Sequence, residues 1–133
     1  MSKLYPKGLT LTELLLAAAI LAFVLCGLLV LFTHCVLLNE SNRNLTQATS
    51  HAQYVLEDIR NTNFYEIGTK IDNGDWDWVE ADIVAVGLVA LKNEVIDTNH
   101  GVAIDPLEVT VIVTWNDQSQ RQRQTQLITL ITK

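Results

Sequence analysis

Residues 7–17, KGLTLTELLLA (Lys7 to Ala17), open the longest apolar stretch of the chain. From Leu14 to Phe32 every residue is apolar or glycine, and Thr33, His34 and Cys35 are followed by Val36, Leu37 and Leu38. At about 1.5 Å per helical residue the run spans a hydrocarbon core of about 30 Å with residues to spare. Glu13 is the one charged residue between Lys7 and Glu40. A carboxylate at that boundary costs about 2 to 3 kcal/mol on insertion scales unless a partner or local water relieves it. The residue therefore needs a reason.

The chain has 133 residues, 49% of them hydrophobic and 18% charged. With the apolar excess gathered at one end, fewer than about a hundred residues remain for one small soluble module. The formal net charge is -6, yet Lys3 and Lys7 precede the run and all fifteen acids lie within or beyond it. From Leu9 onward seven basic residues face fifteen acidic ones, a net of -8. That balance offers no basic footprint for DNA or RNA, so no direct nucleic-acid binding is expected.

Cys26 and Cys35 both fall in the run, about 13 Å apart along a helix, too far for a disulfide, and read as small apolar residues. The soluble part has no cysteine and folds without a staple. The run is too long for a cleaved secretory signal, and its Ala17 to Ala19 triplet lies inside it. Leu25 before Cys26 and Val36 after Cys35 argue against a lipoprotein signal. An uncleaved signal anchor, N-terminus cytoplasmic by the positive-inside rule, accounts for orientation but not for Glu13. Glu13 also reads as an acidic first-turn residue favoured by the helix dipole, with Thr10 or Thr12 near the cap.

Lys7-Gly8, then Leu9-Thr10-Leu11-Thr12-Glu13-Leu14, then an unbroken apolar helix, resembles the prepilin signature of type IV pilins and type II secretion pseudopilins. The resemblance covers about the first thirty residues. It implies a leader over residues 1–8, cleavage by a prepilin peptidase between Gly8 and Leu9, N-methylation of Leu9, and an assembly role for Glu13, fifth in the mature chain. It implies a transmembrane and assembly helix over residues 9–38 and an external domain over residues 39–133. The implied partners are other pilin or pseudopilin subunits, the peptidase and the cytoplasmic (inner) membrane of a bacterium, crossed once. In that family the carboxylate is neutralised by a terminal amine in the fibre, and such pairing in a low-dielectric bundle sets stagger as well as favouring assembly. Leu9 stands where the family commonly has phenylalanine. The helix also lacks the proline many major pilins carry, and there is no C-terminal disulfide pair, so the resemblance points to a minor subunit that primes or caps a fibre.

Beyond Leu38, Leu45, Ala48, Ala52, Val55 or Leu56, and Ile59 recur at spacings of three and four, the mark of one apolar helical face. No Pro or Gly lies between Leu28 and Ile67, so one helix from about Leu9 to about Arg60, roughly 75 to 80 Å long, is expected. Leu107 to Trp115 alternates Leu107, Val109, Val111, Val113 and Trp115 against Glu108, Thr110, Ile112 and Thr114. Asn116 to Gln120 reads as a turn, and Gln122 to Thr132 returns as a second strand whose hairpin packs on the helix. A hairpin alone is marginal, so a further strand is expected within Ala81 to Ala103. Ala81 to Leu91 reads as either a strand or a short buried helix, and Ile71 to Trp78 as a turn or loop through Asn73-Gly74. The expected fold class is α+β: a long N-terminal helix on a small antiparallel sheet, which is also the pilin architecture.

No zinc spacing, nucleophile elbow or phosphate loop is present, and His34, His51 and His100 are scattered; the expectation is a non-enzyme. Asp72, Asp75 and Asp77, with Glu80 and Asp82, are weak Ca2+ candidates against a solvated acidic loop, since calcium favours about six or more oxygens. No cofactor is expected otherwise. Trp76, Trp78, Phe64 and Tyr65 read as core or contact surface, with at least one tryptophan in the core. The rival class is a signal-anchored membrane protein with an external β-rich binding domain and no assembly role.

Overall fold

A computed structural model describes residues 10–103 and 105–133. Gly8 and Leu9, the expected cleavage and methylation positions, lie outside the described residues. The chain divides into two compact units, Met1–Glu40 and Ser41–Lys133.

From Leu11 on, the described part of the first unit is one element, the beginning of helix α1 (Leu11–Arg60). With neither Pro nor an internal break, and with Gly27 as its single glycine, α1 runs through the apolar segment as the residue pattern requires. Every residue from Thr10 to Asn39 is exposed. Such a surface needs lipid or neighbouring helices, and the segment is compatible with a single-pass membrane anchor. Thr33 turns its hydroxyl back onto the Leu29 carbonyl at 2.8 Å, which satisfies a polar group that hydrocarbon would leave stranded.

In the second unit α1 buries Ala48, His51, Ala52, Val55, Leu56 and Ile59, one stripe facing the sheet. Leu45, expected on that stripe, is 45% exposed and lies outside the core. After Arg60 comes α2 (Phe64–Asp72), capped by Asn63, whose Oδ1 accepts the Tyr65 N–H at 3.2 Å. Strand β1 (Trp78–Val79), α3 (Glu80–Ala85), β2 (Val95–His100), β3 (Leu107–Asn116) and β4 (Gln122–Ile131) follow. The four strands form one antiparallel sheet in the order β1-β2-β3-β4.

Both short helices end alike. Asp75 N–H reaches Lys70 O, and Leu88 N–H reaches Ile83 O, with Gly74 (φ +76°) and Gly87 (φ +85°) at the left-handed position. Glycine accepts that conformation without the Cβ penalty, so Asn73-Gly74 and Val86-Gly87 are stop signals.

The hairpin has the expected alternation: Leu107, Val109, Val111, Val113 and Trp115 are all buried, in register with Ile131, Thr129, Leu127, Thr125 and Arg123. The further strand is β2, joined to β3 from Val95↔Thr114 to His100↔Val109. Ala81 to Leu91 is a short helix followed by irregular chain rather than a strand, and of its residues Ile83 and Leu91 are buried while Val84, Val86 and Val89 face outward. The segment read as a loop from Ile71 to Trp78 contains the last turn of α2 and the start of β1.

Candidate functional site

Glu13 sits in the first turn of α1. Its Oε2 accepts the Thr10 backbone N–H at 2.9 Å and the Thr10 hydroxyl at 2.8 Å, while Glu13 N–H points back at Thr10 Oγ1 at 3.4 Å. This is a capping box: two donors left without helical partners at the N-terminus are satisfied reciprocally by residues three apart. The sequence carries it as Thr10-x-x-Glu13, so the cap is legible there. The carboxylate also lies at the positive end of the helix dipole. Glu13 thus has a partner inside one chain, at the head of a segment that is otherwise apolar and exposed.

The acidic residues of the second unit do not converge on one point. Asp77 Oδ1 accepts Thr98 N–H at 2.8 Å and Thr98 Oγ1–H at 2.9 Å, tying β2 to the turn before β1. Asp82 Oδ2 accepts Val79 N–H at the start of α3, and Glu80 Oε2 accepts Asn93 N–H. Asp72 Oδ1 lies 3.2 Å from His100 Nε2. Asp75 contributes its carbonyl, which accepts the Trp78 indole N–H at 3.3 Å. Of the calcium candidates Asp72, Asp75 and Asp77, two carboxyls are therefore already engaged by different partners. Among the described residues no group of three or more His, Cys, Asp or Glu is arranged to hold a metal.

Trp76 is buried and donates its indole N–H to Asp58 Oδ2 on α1 at 2.7 Å. Trp78 is half-buried against Tyr54, ring centroids 6.0 Å apart. Phe64 packs on the core edge while Tyr65 is 75% exposed. At least one tryptophan in the core, as expected, is matched by Trp76.

One cluster has no sequence signal. His51 of α1 and Glu94 lie 2.7 Å apart, Nδ1 to Oε1, with side chains 5% and 0% exposed. The second oxygen of Glu94 accepts Leu91 N–H at 2.6 Å, and one helical turn earlier Gln47 donates its side-chain amide to Val89 O. Together they fasten residues 89–94 onto α1. The partners are 43 residues apart in the chain, so spacing rules have no purchase on them. Asp117 shapes the β3–β4 turn: Arg121 N–H, Arg123 and Ser119 hold its carboxyl below the usual range, the Arg121 hydrogen bond most of all.

No family model, curated protein or solved structure matches this chain.

Proposed function

We propose that this chain is a minor pilin or pseudopilin subunit, cut after Gly8, methylated on Leu9 and built through its N-terminal helix into a type IV pilus or type II secretion pseudopilus, where it primes or caps the fibre. The observation that carries the reading is Glu13: a lone carboxylate in the first turn of an apolar helix, five residues beyond the glycine of a short basic leader. The unpartnered surface of residues 10–39 supports it, because a helix exposed all round is made for neighbours in lipid and then in a bundle.

In this mechanism the leader is removed on the cytoplasmic side, so the helix stays in the membrane and gains a new amino terminus. The Glu13 carboxylate then pairs with a terminal amine, its own or that of a neighbouring subunit. A charge that is costly alone in hydrocarbon is relieved only at the correct stagger, so pairing couples register to assembly. The choice of a minor over a major subunit rests on the sequence, whose N-terminal helix has no proline and whose C-terminal part has no cysteine pair.

The test is the intact N-terminal mass of the protein from membranes of its host, with and without the prepilin peptidase. A chain beginning at Leu9 with one added methyl, found only with the peptidase, supports the proposal. A chain beginning at Met1 in both strains refutes it. Glu13→Ala then abolishes fibre or secretion function while membrane insertion survives.

A second reading has an observation of its own. The Thr10–Glu13 cap gives the carboxylate a use within a single chain, as an ordinary signal-anchored protein with an external binding domain would need. On that reading Glu13→Ala behaves like the parent in every assay except stability of the first helical turn.

A further inference from the structure

His100, the last residue of β2, has an acceptor on each side of its ring. Nδ1 lies 2.9 Å from the Gly101 carbonyl oxygen and Nε2 lies 3.2 Å from Asp72 Oδ1, at the last residue of α2. A carbonyl and a carboxylate both accept only. A neutral imidazole carries one N–H and can serve one of them; the imidazolium carries two and serves both. We infer that His100 is a proton-operated latch, whose imidazolium ties the C-terminal end of α2 to the end of β2 and whose neutral form releases one of the two.

The latch lies at a cavity. Phe64, Tyr65, Thr69, His100, Val102 and Leu107 are among the residues lining a space of about 310 Å³ between α2 and residues 100–103 at the end of β2. Gly68 packs beside the ring: a Cβ there would stand 3.8 Å from Nε2, in ordinary contact. The clasp therefore holds two walls of this cavity together at one corner. When the ring loses its proton, the restraint between Asp72 and His100 falls to the level of a neutral contact and the mouth loosens.

Among the described residues four acids and one base lie about this cavity, the base being Lys133, whose Nζ stands 5.5 Å from the Tyr65 ring centroid. Asp72 faces it from α2, Tyr65 lies on the cavity wall in the first turn of α2, and Glu108 of β3 packs behind Gly101, accepting the Gly101 N–H through its carbonyl at 2.8 Å. Asp105 lies in the connection to β3. The Gly101 carbonyl raises the His100 pKa above the ordinary 6.5 most strongly, burial opposes it, and Asp72 adds a hydrogen bond and a favourable charge. A raised folded-state pKa means the stabilisation is complete below the unfolded value of 6.5 and is lost as pH rises through the higher folded value. The latch is shut in mildly acidic surroundings and open in alkaline ones.

The experiment is an NMR titration of the full chain in detergent micelles from about pH 5.5 to about pH 8.5, following the His100 ring protons and the exchange rates of the Gly68 and Gly101 amides. The parent titrates above 6.5. Asp72→Asn brings the midpoint down. Compared with the parent at equal pH, it speeds exchange of those amides about 1.5- to 5-fold on the acid side, the range for an exposed ion pair, and leaves it unchanged on the alkaline side. His100→Gln removes the pH dependence of that ratio. A parent midpoint at or below 6.5, or an Asp72→Asn chain with the parental midpoint and parental exchange rates, overturns the inference.

Discussion

Removing the His51 imidazole while leaving Glu94 in place strands a carboxylate that is 0% exposed. In the parent, each Glu94 oxygen has a donor, His51 at 2.7 Å and Leu91 N–H at 2.6 Å. His51→Ala deletes the first and leaves a buried carboxylate half-satisfied, a class of change that costs about 3 to 5 kcal/mol. Glu94→Gln is gentler. The amide oxygen still accepts Leu91 N–H and the site loses only a charge-assisted bond, so the expected cost is about 1.5 to 3 kcal/mol. Replacing both partners, His51→Leu with Glu94→Leu, removes the stranded charge altogether and leaves Leu91 N–H unpaired, at about 1 to 3 kcal/mol. The double variant is therefore expected to be no worse than His51→Ala alone. Equilibrium urea unfolding of the full chain in micelles, read by the fluorescence of buried Trp76 and Trp115, measures all three. A His51→Ala loss below about 1 kcal/mol, or a double variant whose loss equals the sum of the separate His51→Leu and Glu94→Leu losses, would refute the argument that this pair is a mutually dependent buried unit.

Ile96 is fully buried in β2 while Ile128 in β4 is 56% exposed, so Ile96→Ala is expected to cost about 2 to 5 kcal/mol and Ile128→Ala under about 1, by the same unfolding assay. Trp76→Phe keeps an aromatic ring and loses the bond to Asp58 Oδ2, with an expected loss of about 1 to 2 kcal/mol that Asp58→Asn does not reproduce in full, because its amide oxygen still accepts. Thr10→Val removes the hydroxyl half of the cap, so amide exchange over the first turn of α1 quickens several-fold while exchange at Val55 is unchanged, both read by NMR. Since the Asp77 carboxyl is held by Thr98, millimolar Ca2+ is expected to leave the midpoint of thermal unfolding where it was, and a rise of several degrees would show that Asp72, Asp75 and Asp77 can regroup around an ion.

The parts of the fold that the sequence discloses are those governed by a period. Leu107 to Trp115 alternates cleanly, and each of its five inward residues is buried. The α1 stripe repeats at three and four and is likewise buried from Ala48 to Ile59. Leu45 obeys the same period yet stays 45% exposed, because a period identifies a helical face and not how far the sheet extends along it. Helix α2 has a period of its own, with Phe64, Ile67 and Ile71 at spacings of three and four behind the Asn63 cap, but nine residues with Gly68 in their midst are too few for that period to decide between helix and loop. Strand β1 has two residues and exists only because Trp78 and Val79 pair with Ile96 and Val95. The Thr10–Glu13 cap is local and legible. The links of His51 to Glu94, of His100 to Asp72 and of Trp76 to Asp58 are made by tertiary approach, and no spacing announces them.

The acidity of the chain has a structural meaning that bears on how Glu13 is understood. In the second unit, carboxylates of Asp77, Asp82, Glu80, Glu94 and Asp117 each accept a backbone N–H that a turn, a strand end or a helix start would leave unpaired. Negative charge there satisfies orphan donors, and its excess over basic residues follows from the number of short elements that need such acceptors. Glu13 makes the same kind of bond to Thr10. What separates it from the others is therefore its surroundings and not its local contact. The other five sit on a folded module beside water or polar partners, whereas Glu13 heads a helix whose next twenty-five residues carry no charge. The uncharged Thr10 hydroxyl already accepts the Glu13 N–H, and the Thr10 N–H needs only an acceptor at position 13, which a neutral amide oxygen would supply. On the proposed reading the carboxylate at the apolar boundary adds what a neutral cap lacks, a charge for a terminal amine to match, and Glu13→Gln separates the two uses. The variant retains an acceptor for Thr10 N–H and so preserves the first turn, while losing whatever assembly depends on the charge.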